Sequence, residues 1–456
     1  MNSKKENTMQ YDVVIIGSGP AGYVAAIRAG QVGLKTALIE KKHIGGMCLN
    51  WGCIPTKALI ESAKFFDRLK EAQQFGIDGI DLNKLKFNWP NAVKRSGKIV
   101  TKLTNGIDYL LKKNGVEIIW GEASINSAHS VTVANRKLET QNIVIATGSY
   151  PQPISAKISP SLILDVEKLS SLNEIPEHIT IYGHGAYTIE LAQFFNMIGK
   201  KITIIATSDN LIPFADKFLI DFISRKLKSD GIEVIYNADI KGYEKGELIL
   251  SDRKIKTELL LNCSWRTAII PASKEKIELT DDGYIMVDDR FETNVKGIYA
   301  VGDVNGLSYL AHIASAQGLW VINYIKGISN IINLKNFPIN IYTNPEMAQI
   351  GFTVEELEES GIDYKISEFP LSSNGKALTE GHAEGSIRLI SDLKYGQVQG
   401  VQIIAENATD MIAEASAFMQ MEGTIYDVAQ TIHAHPTVSE IFMEAGFDAV
   451  ELAIHK

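Results

Sequence analysis

Two of the chain's three cysteines, Cys48 and Cys53, fall in the segment Gly45-Gly-Met-Cys-Leu-Asn-Trp-Gly-Cys-Ile-Pro-Thr-Lys57. Thiols that close can be joined as a disulfide and parted again, which moves two electrons. In a regular helix, positions i and i+5 hold their Cα atoms roughly 8 to 9 Å apart, beyond the ~7 Å that a disulfide tolerates. A Cys48–Cys53 bridge therefore needs an unwound turn, and Gly52 permits one. Pro55 suits the first turn of a helix predicted over 54–66, which leaves Cys53 near that helix's positive N-terminus. A cysteine so placed forms a thiolate readily. No further cluster of cysteine and histidine completes a metal shell. Near the other end stands His433-Ala-His-Pro-Thr-Val-Ser-Glu440. There a restrictive proline, and a glutamate beyond His435, suit a base oriented by a carboxylate; a histidine merely satisfied in place is the alternative.

The elements that must position these groups are legible around them. Residues 11–16 read as a buried strand, followed by Gly17-Ser-Gly-Pro-Ala-Gly22, an alanine-rich helix to about residue 32, and a strand over 35–39 that ends at Glu40. This is a complete dinucleotide fingerprint: glycines for the turn and for close approach of a pyrophosphate to a helix N-terminus, then an acid for ribose hydroxyls. The same grammar recurs at 179–182, Gly183-His-Gly-Ala-Tyr-Thr188, a helix to about 198 and a strand over 201–205. The repeat is imperfect. Its sixth loop position is Thr188, and the offset that leads from Gly17 to Glu40 leads from Gly183 to Ala206. Neither acid nor arginine occupies 206–208, and Asp209 substitutes only after a shift. Losing an acid's charged hydrogen bonds costs about 1.5–3 kcal/mol, or about tenfold to a hundredfold in affinity. The extra atoms of Thr188 add roughly 1–3 kcal/mol of overpacking unless the helix shifts. A nucleotide at Gly183 and Gly185 is expected to bind weakly.

Between the repeats, Asn142-Ile-Val-Ile-Ala-Thr-Gly148 is a strand ending in a glycine turn, followed by the linker Pro151-Gln-Pro153. Beyond the second repeat, Ile298-Tyr-Ala-Val-Gly-Asp303 sets an aspartate at a strand's carboxyl end, where it can hold a cofactor hydroxyl. From about residue 337 shorter strands (386–390, 397–404) and amphipathic helices (354–360, 410–421) indicate α+β. The fold class is α/β: two Rossmann-like dinucleotide-binding domains plus a C-terminal α+β domain. The expected divisions are 1–150 and 271–337 for the first domain, 151–270 for the second and 338–456 for the third, as 456 residues allow. A net charge of −9 argues against nucleic acid or an anionic membrane as partner. No apolar run approaches the ~20 residues of a membrane span. The start, Met1-Asn-Ser-Lys-Lys-Glu-Asn-Thr-Met-Gln10, lacks both a signal peptide's apolar segment and a transit peptide's arginines. A cytoplasmic location is expected, where a disulfide is more often catalytic than structural.

From Tyr11 to Ala445 the chain resembles the FAD-dependent pyridine nucleotide-disulfide oxidoreductases. Cys48 to Lys57, the Ala146-Thr-Gly148 turn, the Gly302-Asp303 turn and His433 to Glu440 match in order. Cys-Leu-Asn-Trp-Gly-Cys-Ile-Pro-Thr-Lys and His-Ala-His-Pro-Thr-Val-Ser-Glu look like the branch that oxidises dihydrolipoamide rather than glutathione reductases. Mercuric reductases are disfavoured, since their extra C-terminal cysteine pair is absent. The resemblance implies FAD held by Gly17, Gly19, Gly22, Glu40 (adenosine ribose), Thr147, Gly148, Asp303 (ribitol) and Ala311, with Lys57, paired with Glu190, near the reactive flavin nitrogen. It implies NAD at Gly183, Gly185 and Glu190. Cys53 would be the thiolate facing the flavin and Cys48 the thiol that exchanges with substrate. His435, oriented by Glu440, would serve the neighbouring subunit, so that the C-terminal domain dimerises and the active unit is a homodimer. Lipoyl domains of 2-oxoacid dehydrogenase complexes or of the glycine cleavage system are the implied partners. The departures gather at one place, where Ser264 and Trp265 stand for a glycine and an arginine that lie along the nicotinamide nucleotide in the family. Two other readings follow: a glutathione-type disulfide reductase, and a weakly active or NAD-independent flavoprotein subunit of a 2-oxoacid dehydrogenase complex.

Overall fold

The computed structural model describes residues 9–156, 158–334 and 336–456; Met1 to Thr8, most of the start read above, lie outside the described residues. Strand Met9–Ile16 is central to an eight-stranded sheet. Its run Val13, Val14, Ile15 and Ile16 is buried on both faces, as a parallel strand covered on both sides requires. It pairs in parallel with Thr36–Glu40 on one side and Arg136–Ile145 on the other. The far edge of Arg136–Ile145 is shared. Its first half takes the antiparallel strand Ser130–Val133 and its last residues take the parallel strand Ile298–Ala300. The chain thus returns to its first sheet after building a second.

That second sheet is five-stranded and parallel, in the order Glu233–Tyr236, Lys201–Ala206, His178–Gly183, Leu259–Cys263, Ile163–Asp165. The proline-marked linker is an ordered connection, since Ser149–Pro151 pairs with Arg266–Ala268. The C-terminal part is a five-stranded antiparallel sheet, Ile339–Ile341, Glu346–Gly351, Val398–Ala405, Ser386–Asp392 and Tyr364–Pro370, with helices Ala408–Gln420 and Glu440–Ala449 packed on it.

Three helices position the site. Pro20–Gln31 has proline at its start and buries Ala21, Ala25, Ala26 and Ala29, so that Ala311–Lys326 lies directly on it. Cys53–Arg68 starts one residue before and ends two after the predicted 54–66. It packs against Ala186–Met197, the helix that follows the second glycine loop. No element was expected over the long helix Trp89–Lys113. Asn88 caps it by accepting from the Asn91 amide at 3.0 Å, and Trp89 anchors it by donating to the Leu172 carbonyl at 2.8 Å. Among the described residues no helix is long and apolar enough to cross a membrane.

Candidate active site

The first glycine loop is a cradle that side chains would fill. A Cβ on Gly22 would lie 1.8 Å from the Gly17 carbonyl oxygen, and one on Gly17, whose φ is +103°, 2.3 Å from that of Ala146. Gly19, the residue preceding helix Pro20–Gln31, has open space above it, and no side chain caps that helix. Its first amides and its dipole are left to attract an anion. The Glu40 carboxylate closes the cradle. One oxygen accepts from the Ser18 amide at 2.9 Å and hydroxyl at 2.5 Å; the other accepts from the Lys42 and His43 amides at 2.8 and 3.2 Å. Opposite, the Asp303 carboxylate accepts from the Ser149 hydroxyl, which itself accepts from Arg266 Nε at 2.6 Å. Thr147 donates to the Ile269 carbonyl at 2.5 Å and Gly148 follows at φ +76°. Ala311 opens a helix that likewise has no side-chain cap. These residues fit a dinucleotide with two hydroxyl-rich ends: two uncapped helix starts, and one carboxylate on each side.

Beside the cradle lie the two cysteines, both as thiols. Cys48 sits in the short helix Gly46–Asn50 and Cys53 is the first residue of Cys53–Arg68. The unwound turn between them is Trp51-Gly52. Gly52 has an ordinary negative φ of −96°, so it is needed for room rather than for handedness: a Cβ there would stand 3.0 Å from the Met47 carbonyl oxygen and 3.3 Å from Cys48 Cα. The Cys48 thiol donates to Cys53. That bond, helped by the Lys57 charge, holds Cys53 below its ordinary thiol range against burial and Glu190, while the same bond and burial push Cys48 up. The pair is asymmetric: Cys53 ionises first and Cys48 keeps its proton.

Lys57, one turn into the helix, donates to Glu190 Oε2 at 2.6 Å and stands 4.5 Å from the centre of the Tyr342 ring. Burial works against its charge, but the Glu190 carboxylate outweighs it and the lysine's pKa rises. The other Glu190 oxygen accepts from the Tyr342 amide at 3.0 Å. His435 lies elsewhere. Its Nδ1 meets Glu440 Oε1 at 2.9 Å, Glu440 Oε2 accepts from the Thr437 amide at 2.8 Å, and the imidazole side chain is 80% exposed. Burial opposes the Glu440 charge, but the Thr437 amide and His435 prevail and lower its pKa. The structure therefore brings Cys48, Cys53, Lys57 and Glu190 together, and His435 and Glu440 together, as two separate groups on the chain.

Three features escaped sequence reasoning. Tyr187 is partly buried in the second loop's helix, its hydroxyl accepting from Thr56 Oγ1 at 3.0 Å and donating to the Trp51 carbonyl at 3.1 Å. Burial raises the phenol's pKa, so it stays a neutral donor. His433, inside the motif that was read, meets Glu414 at 2.6 Å. Arg266 buttresses Ser149 through a second bond, to the Ser149 carbonyl at 2.6 Å. Only the residue types in the quoted motifs signalled any of them.

The second glycine loop differs from the first. Ala206, which pairs with Tyr236 as Glu40 pairs with Trp120, is fully buried and carries no acid. Asp209 is engaged by Asn237 Nδ2. The expected crowding at Thr188 is absorbed: the threonine is fully buried, its hydroxyl donates to the His184 carbonyl at 3.2 Å, and the Gly185 carbonyl accepts from both Thr188 and Ile189 at 3.2 and 3.4 Å where Gly19 takes a single bond of 2.9 Å from Tyr23. The helix starts at the equivalent residue, Ala186 after Gly185 as Pro20 after Gly19, but Gly185 turns through a φ of +91° where Gly19 has −64°.

The family described as pyridine nucleotide-disulphide oxidoreductase matches residues 11–318, and its dimerisation domain matches 337–446. The chain belongs to this family. It is 35% identical to a dihydrolipoyl dehydrogenase of Thermus scotoductus, with 98% of each chain covered, and 35% identical to one of Bacillus subtilis, with 97% of this chain and 99% of the relative covered. A solved structure of the HOCl-induced flavoprotein disulfide reductase RclA from Escherichia coli is 26% identical and superposes with a TM-score of 0.83 over 95% of this chain and 98% of that one. The protein is accordingly an FAD-dependent disulfide oxidoreductase of a family that uses FAD and NAD(H), and its matched C-terminal domain makes it a homodimer.

Proposed function

We propose that the protein is a dihydrolipoyl dehydrogenase, oxidising dihydrolipoamide carried on a lipoyl domain. The observation that carries this reading is the asymmetric thiol pair, with a depressed Cys53 at a helix N-terminus beside Lys57 and a protonated Cys48 that donates to it. In the oxidised enzyme a substrate thiolate attacks Cys48 Sγ and the Cys48–Cys53 bond breaks. Cys53 leaves as a thiolate, stabilised by the helix start and by the Lys57 charge. The second substrate thiolate then attacks the mixed disulfide, the substrate leaves as a cyclic disulfide, and Cys48 takes up a proton. His435 of the partner subunit, held by Glu440, removes the substrate's proton in this scheme.

FAD, when bound, supplies the two-electron acceptor for the resulting dithiol and the donor to NAD+. Gly17, Gly19, Gly22, Glu40, Thr147, Gly148, Asp303 and Ala311 would hold it, in a domain formed by 1–150 and 271–337, with Lys57 and its partner Glu190 near the flavin. The test is steady-state turnover of the purified holoenzyme with dihydrolipoamide or reduced glutathione as donor, and with NAD+ or an artificial acceptor. Turnover with dihydrolipoamide and not with glutathione is expected. Preference for glutathione, or no turnover with either acceptor, would overturn the reading.

A further inference from the structure

In an open parallel sheet, ligands bind in the crevice beyond the carboxyl ends of the strands. In the second sheet those ends are Gly183, Ala206 and Cys263. The residues that follow them fill the crevice with one another. The His184 ring stacks on Trp265, with centroids 5.1 Å apart and planes 17° from parallel, and Trp265 in turn meets the Tyr309 ring edge-on at 5.1 Å. His184 Nδ1 is 2.7 Å from Thr207 Oγ1. Burial lowers the His184 pKa, which leaves a neutral ring. The Gly185 amide, at the helix start, donates to the Leu211 carbonyl at 2.6 Å. Trp265 is anchored on both sides in sequence, since its carbonyl accepts from the Gln152 amide at 2.8 Å and Ser264 Oγ donates to the Gln152 carbonyl at 2.6 Å.

The first loop supplies an internal comparison. There the residue between the two glycines is Ser18, which turns back to Glu40 and leaves the space above Gly19 open. Here the same position is His184, which stacks on Trp265, and Trp265 in turn meets Tyr309. Tyr309 lies two residues before the start of helix Ala311–Lys326, which belongs to the first cradle. The ring row therefore spans from the second loop to the edge of the first cradle.

We propose that His184, Trp265 and Tyr309 form an aromatic latch across the second nucleotide crevice, which a nicotinamide dinucleotide must displace in order to bind. Trp265 is the residue that sets this affinity. The latch rests on the reading of the chain as a dithiol oxidoreductase that uses NAD+. Only the unlatched fraction of the protein is competent, and apparent affinity falls in proportion to that fraction. A stacked ring pair is worth about two- to tenfold in such an equilibrium, and the His184–Thr207 bond about as much again.

The test is calorimetric titration of the oxidised, flavin-replete protein with NAD+, comparing wild type, Trp265→Ala and His184→Ala. Each variant's flavin content and melting temperature verify that it is folded. The latch requires NAD+ to bind about three- to tenfold more tightly when Trp265 or His184 is removed. Unchanged or weaker binding in both variants overturns it, and weaker binding assigns the rings to holding the nucleotide instead. Bleaching of wild-type flavin by dihydrolipoamide, measured without nucleotide, tests the underlying reading separately: if that fails while the variants tighten, the latch stands and the substrate assignment falls.

Discussion

Tyr187→Phe removes one oxygen from a partly buried residue whose partner Thr56 is buried, and should be felt in the chemistry. The hydroxyl ties the second loop's helix to the turn that sets Cys53, through Thr56 at 3.0 Å and the Trp51 carbonyl at 3.1 Å. Two neutral hydrogen bonds are worth ~0.5–1.5 kcal/mol each, and leaving a buried partner unsatisfied costs about 1–3 kcal/mol. A loss of about 2–4 kcal/mol in unfolding free energy is expected. The Trp51-Gly52 turn also fixes the first helical bond, Thr56 amide to Gly52 carbonyl at 3.1 Å, and with it the Cys48–Cys53 hydrogen bond that depresses Cys53. Relaxing the turn should let the Cys53 pKa rise back toward its ordinary thiol range. The assays are denaturant unfolding of the holoenzyme and a pH titration of the reduced enzyme's thiolate absorbance. The thiolate is present above the depressed pKa and lost as pH falls through it, so the variant should lose the signal at a higher pH than wild type. A variant with reduced stability and an unmoved titration would reduce Tyr187 to packing, and one unchanged in both would refute the strut altogether.

An inactive His435→Gln protein and an inactive Cys48→Ser protein, mixed with verified subunit exchange, should regain activity, because one site of the mixed dimer holds an intact disulfide and an intact base. No recovery would contradict a site shared between subunits. The His433 pKa is raised chiefly by its hydrogen bond with Glu414. This pair's stabilisation is full below the unfolded histidine value of about 6.5 and is lost as pH rises through the folded value. Melting temperature should therefore fall across that window, and His433→Gln should flatten the slope; an unchanged slope would refute the pairing. Gly22→Ala places a Cβ 1.8 Å from the Gly17 carbonyl oxygen. The purified variant should be flavin-poor, and full flavin content would mean that the loop yields cheaply.

What the sequence made legible was local. Both glycine loops, the cysteine pair and the His435–Glu440 pair lie within short segments, where periodicity and turn chemistry act directly. Strand and helix ends in the C-terminal region moved by no more than two residues, as with Val398–Ala405 against 397–404 and Ala408–Gln420 against 410–421. What stayed hidden were contacts between distant residues: Tyr187 to Trp51, Ser149 to Asp303, His184 to Trp265. Thr188 marked the second loop as altered, and the alteration lies in the loop backbone, where Gly185 has a φ of +91° against −64° at Gly19, while the helix starts at the equivalent residue. The missing acid at Ala206 was read from spacing, whereas the rings beside it could be joined only in three dimensions.

The central claim is that Cys48 and Cys53 pass two electrons between dihydrolipoamide and FAD, with Cys53 as the thiolate. Anaerobic titration of the oxidised holoenzyme with dihydrolipoamide, without nucleotide and with thiols counted before and after, tests it most directly. The account expects the first two electrons to expose two new thiols per subunit and to raise a long-wavelength thiolate–flavin band. Cys53→Ser should lack that band, while Cys48→Ser should display it without any reductant. Flavin bleaching with no new thiols, or a band that survives in Cys53→Ser, would contradict it.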